Sequence, residues 1–98
     1  MNHYLATISL PMELTEEFLA LIPAQRKHVN HLIEEGTVTG YSLAFDRSKL
    51  WITLVAETEQ EASELLADFP LSKFFRTKIH PLLFHQGSRA SLLKVSLN

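Results

Sequence analysis

The spacing of apolar positions changes along the chain, and each change marks an element. From Tyr4 to Leu10 apolar and polar residues alternate, with Tyr4, Ala6, Ile8 and Leu10 on one side and His3, Leu5, Thr7 and Ser9 on the other. That pattern predicts a half-buried strand, ended by Pro11, which has no N–H to give a ladder. From Leu14 to Glu35 the spacing becomes three and four residues: Leu14, Phe18, Leu21, Ile22, Val29, Leu32 and Ile33 form one stripe. This predicts a helix with one buried face. Thr15 is placed as its N-cap, Glu16 and Glu17 suit the positive end of its dipole, and Gly36 suits its stop. Pro23 lies opposite the stripe and predicts a bend over the sheet. Gln25 lies inside the stripe, either as a core amide bonded to backbone or as a polar hook into a cavity.

Thr37 to Glu57 reads as a β-hairpin, with β-branched and aromatic residues flanking the polar group Asp46-Arg47-Ser48-Lys49. With Arg47-Ser48 as the loop, Asp46 faces Lys49. One face then pairs Phe45 with Leu50, Leu43 with Ile52, Tyr41 with Leu54 and Thr39 with Ala56. The other pairs Ala44 with Trp51, Ser42 with Thr53 and Gly40 with Val55. The first face is plain core. The second has small residues beside one Trp and two hydroxyls, and leaves space for a ligand or partner.

A second helix follows, with Thr58 and Glu61 as a capping box and Ala62, Leu65, Leu66 and Phe69 as its buried face. Pro70 ends it. Ser72 to Phe75 is a short connection, Thr77 to His85 a strand whose His80-Pro81 predicts an edge or bulge, and Ser91 to Leu97 an apolar tail able to add a fifth strand. The order is βαββαβ. Right-handed crossovers place both helices on one face of a four-stranded antiparallel sheet, the ferredoxin-like α+β plan. The expected domain is 1–85, with 86–98 as a C-terminal tail. The other sheet face, with Leu5, Trp51 and Val55, is left uncovered, so a homodimer or larger ring is expected.

Composition narrows the function. The chain has 98 residues, suited to one domain, and 46% hydrophobic with 20% charged residues is ordinary for a globular protein. A net charge of −2 offers no basis for binding nucleic acid or an anionic membrane. Zero cysteines fit a reducing, cytoplasmic setting. Met1 to Met12 lacks the basic start of a signal peptide, and no stretch approaches the roughly 18 apolar residues of a membrane span. No Gly-rich phosphate loop is present, so no organic cofactor is expected. His28 and His31 are spaced as a metal pair, but no carboxylate or Cys completes a set, so no metal is expected either.

Four segments carry a resemblance. LIEEGTV at Leu32 to Val38, the strand containing Trp51, ELLADFPL at Glu64 to Leu71 and IHPLLFH at Ile79 to His85 resemble the muconolactone isomerases. The likeness runs from about Leu10 to His85. It implies a dimeric α/β barrel, no cofactor, and proton transfer between carbons of an unsaturated lactone, an isomerase or lyase type of chemistry. Those isomerases carry His and Arg in the second strand, near where this chain has Gly40 and Leu43. A non-catalytic small-molecule-binding or assembly module is therefore the alternative. The chain is also similar to YciI-like proteins of the same superfamily, which pair a helix His with a downstream Asp. By that likeness His28 and Asp46 are the candidate catalytic pair, with His28 as general base. His3, Gln25, Ser42 and Trp51 are the candidate substrate contacts, around a cavity expected between the open sheet face and the first helix.

Overall fold

A computed structural model describes residues 1–85. The expected strand at Ser91 to Leu97 lies outside them. The order is β1 (Asn2–Ser9), α1 (Glu16–Glu35), β2 (Val38–Leu43), β3 (Lys49–Ala56), α2 (Glu59–Ala67), a 3-10 turn at Ser72–Phe74, and β4 (Arg76–Leu82). β1 pairs on both sides, so the sheet runs β2-β3-β1-β4 with every neighbouring pair antiparallel. Tyr4, Ala6 and Ile8 of β1 stand opposite Leu54, Ile52 and Leu50 of β3. This central pair meets Val29 and Leu32 of α1, Ala62 and Leu66 of α2, and Phe69 in one core. Both helices therefore cover the same face, as right-handed crossovers predict.

The helix ends follow the sequence. Thr15 Oγ1 accepts from the Phe18 N–H at 3.1 Å, and Thr58 Oγ1 from the Glu61 N–H at 3.1 Å. Glu61 in turn accepts from the Glu57 N–H at 2.7 Å, a reciprocal pair that satisfies one orphan amide of α2 and the amide just before its N-cap. Gly36 closes α1 at φ 82, where a side chain would be strained. α1 continues through the exposed Pro23 without a break.

The hairpin register differs from the expected one. Leu43 pairs with Leu50, Ser42 with Trp51, Tyr41 with Ile52 and Gly40 with Thr53, each displaced by two residues. The turn is wider than a two-residue loop: the Ala44 N–H donates to the Lys49 carbonyl, and Arg47 takes the left-handed conformation at φ 65. Because side chains alternate with a period of two, a displacement of two leaves each on its expected face. Phe45 is the casualty. Expected against Leu50, it sits at the tip and is fully exposed. A second irregularity falls between Val38 and Gly40. It brings Val38 opposite Leu54 and into the core, at 3% exposure, where Thr39 was expected. A bulge absorbs one residue and so swaps which neighbour faces inward.

Candidate functional site

α1 does not cover the sheet completely. Tyr41 and Leu43, on the helix-facing side of the edge strand β2, remain exposed. Beneath the first half of α1 lies a cavity of about 460 Å³. Phe18, Ile22, Gln25 and Arg26 of α1 form one wall, and Tyr41, Leu43 and Leu50 of the hairpin form the other. Leu71 and Phe75, from the segment before β4, close the inner end, and Arg47 reaches in from the hairpin turn. The lining is mostly aliphatic and aromatic. Among the described residues its polar side chains are Gln25, Arg26, Tyr41 and Arg47, with no carboxylate and no imidazole.

Gln25 organises the polar end. Its side chain is buried, at 4% exposure. Oε1 accepts from the Leu71 N–H at 3.1 Å, and Nε2 donates to the Tyr41 hydroxyl at 3.3 Å. A backbone N–H can only donate, which dictates that the amide oxygen faces Leu71 and the nitrogen faces Tyr41. One side chain on α1 thus ties the segment before β4 to the edge strand β2. Gln25 is both things the sequence allowed, a backbone-bonded core amide and a polar group in a cavity. Neither Arg26 nor Arg47 makes an ion pair among the described residues.

The other expected site residues lie elsewhere. His28 packs edge-on against Phe69, ring centroids 4.9 Å apart, and does not line the cavity. Its Nε2 is buried without a hydrogen-bond partner among the described residues. Asp46 is fully exposed in the hairpin turn. Its Oδ1 accepts from the Ser48 hydroxyl at 2.7 Å and the Ser48 N–H at 2.9 Å, which hold its carboxyl below the ordinary value. His3, Ser42 and Trp51 lie on the open face, Trp51 between Thr7 of β1 and Ser42 of β2. The expected cavity between that face and α1 is corrected: α1 lies on the opposite face of the sheet. The structure brings together Gln25 alone of the expected set, and joins it to Tyr41, Arg26 and Arg47. Tyr41 could have been found. A Tyr assigned to a core face and a Gln in a core stripe each need a polar partner, and each is the other's.

The arrangement of strands and helices defines a ferredoxin-like α+β protein of the muconolactone isomerase-like fold. The chain is similar to a muconolactone isomerase with a TM-score of 0.69 and 16% identity, over 90% of this chain and 94% of that one. It is also similar to the 5-chloro-2-hydroxyhydroquinone dehydrochlorinase of Burkholderia phenoliruptrix AC1100, solved in complex with 2,5-dihydroxybenzoquinone, with a TM-score of 0.58 and 14% identity over 86% of this chain and 95% of that one. No family model matches the chain, and no curated protein matches it in sequence. Identities this low carry the fold and not the residues of a site. No helix among the described residues is long and apolar enough to cross a membrane.

Proposed function

We propose that this chain binds a small, largely apolar molecule in the cavity between α1 and the hairpin. The observation that carries this is the cavity itself: about 460 Å³ of mostly apolar wall with Gln25, Tyr41 and two arginines at one side. Ligand sites are typically of this size and composition, apolar with a few placed polar groups. The test is a titration of the protein with a set of small aromatic molecules, followed by nuclear magnetic resonance. Shifts should concentrate at Ile22, Tyr41 and Leu71. Ile22→Trp, which fills the cavity from α1, should abolish them while the fold persists. Shifts confined to the open sheet face would overturn the assignment.

Cofactor-independent proton transfer, of isomerase or lyase type, is the second reading. It is favoured by the fold likeness to an enzyme whose name is an isomerase and to one named a dehydrochlorinase. The Tyr41 hydroxyl and the two arginines are donors suited to a developing enolate oxygen. Among the described residues the cavity wall offers no base, because His28 and Asp46 stand outside it. Binding without turnover is therefore the reading the geometry favours, and His28→Ala with unchanged turnover would separate His28 from any chemistry that is found. Self-association belongs to the same proposal: Leu5, Trp51 and Val55 share the sheet face that neither helix covers, and a second sheet packed against it would bury them. A cytoplasmic setting rests on the absence of cysteine.

A further inference from the structure

We infer that Gln25 fixes the polarity of the Tyr41 hydroxyl, so that the cavity selects ligands ending in a hydrogen-bond acceptor, a ketone or a carboxylate, over ligands ending in a donor. The inference rests on the small-molecule reading and gives the ligand a chemical class. The amide oxygen of Gln25 is committed to the Leu71 N–H, which can only donate. The amide nitrogen must then face Tyr41, and the hydroxyl oxygen accepts from it. With its oxygen engaged, Tyr41 has its proton left over, and among the described residues it donates to nothing. Both residues line the cavity. The second proton of the Gln25 amide is also without a partner among the described residues. The charged side chains of the wall among the described residues, Arg26 and Arg47, are donors too. Among the described residues each polar side chain of the wall presents an unused N–H or O–H, while the Gln25 oxygen, the acceptor best placed for an alcohol or ammonium, already accepts from the Leu71 N–H. Gln25 is a positioning residue here, and Tyr41 the contact.

The experiment uses the full chain and four probes of similar size: propylbenzene, phenylacetone, phenylacetate and phenethylammonium, titrated by nuclear magnetic resonance or calorimetry. Phenylacetone should bind roughly five- to tenfold tighter than propylbenzene, as one neutral hydrogen bond allows. Phenylacetate should bind more tightly still, and phenethylammonium most weakly. Tyr41→Phe should bring the ratio of phenylacetone to propylbenzene affinity to about one. Gln25→Met should lower that ratio, because the hydroxyl is then free to turn, and the double variant should match Tyr41→Phe. A purely structural role for Gln25 would weaken all probes alike and leave the ratio at its wild-type value, which would overturn the inference. If Gln25→Met does not fold, Gln25→Glu decides. Its carboxylate keeps the Leu71 bond and must accept from Tyr41, so the preference for phenylacetone must vanish as the carboxyl ionises; a preference that persists overturns the inference. Binding of propylbenzene with no preference for acceptors would sink this inference and spare the small-molecule reading. Binding of none of the four would sink both.

Discussion

Gln25 shows what a single polar side chain in a small core has to do. It is buried among apolar neighbours, so each end of its amide needs a partner, and each has one, Leu71 for the oxygen and Tyr41 for the nitrogen. Removing it leaves the Leu71 N–H without its acceptor. The desolvation of one orphaned buried amide costs about 1–3 kcal/mol. Gln25→Ala should therefore lose at least that much stability in urea unfolding, with the slope unchanged if the fold is otherwise kept. His28 is a different case. Three residues further along α1, its ring rests edge-on against Phe69, in the segment after α2.

At the level of elements, the hairpin turn is held by Asp46. Its carboxylate accepts two hydrogen bonds from Ser48, and these favour the charged form, which is why its folded pKa lies below the ordinary value. The sign of the pH effect follows. A depressed carboxyl pKa contributes stability that is present above the unfolded value, near 3.8, and is lost as pH falls through the folded value. The difference in stability between the wild type and Asp46→Ala should be constant from pH 5 to 8, about the range where both states are ionised, and should shrink below about pH 4. A difference that grew in acid would contradict the turn-capping role. The same turn carries Arg47 at positive φ and aims it at the cavity mouth, so its geometry and the site are connected.

For the whole molecule, the two faces of the sheet have different fates. One is covered by α1 and α2 over the core, except beside β2, where the cavity lies. The other leaves Trp51 at 37% exposure with Leu5 and Val55 half-buried beside it. Phe45 at the hairpin tip and Leu83 and Phe84 after β4 add further exposed apolar surface. Sedimentation at micromolar concentration should show a homodimer or a larger assembly. Trp51→Glu places an unpaired charge at the centre of that face and should convert the assembly to monomer or unfold it. A wild type that sediments as a stable monomer, or a Trp51→Glu assembly of unchanged size, would remove the sheet-to-sheet dimer.

Period and punctuation were enough to determine the elements and the sides of the sheet. Alternation in β1 and β3 assigns each residue a face whatever the exact pairing, so a hairpin displaced by two residues still put Trp51 and Ile52 where expected. Thr15, Gly36, Thr58 and Pro70 mark ends because capping and termination are local chemistry. The register, the bulge at Thr39 and the exposure of Phe45 are not local. They depend on how the turn closes and on Val38 winning a core place over Thr39, which is a competition between packings and not a property of either residue. The site was legible only in part for the same reason. Gln25 stood out because a polar residue in an apolar stripe has to be explained. Tyr41 read as core and Arg47 as loop, Arg26 gave no signal, and only the docking of α1 beside β2 brings them to one wall. His28 and Asp46 had attractive chemistry, and the packing of α1 against Phe69 and the folding of the turn onto Ser48 carried them away from the cavity.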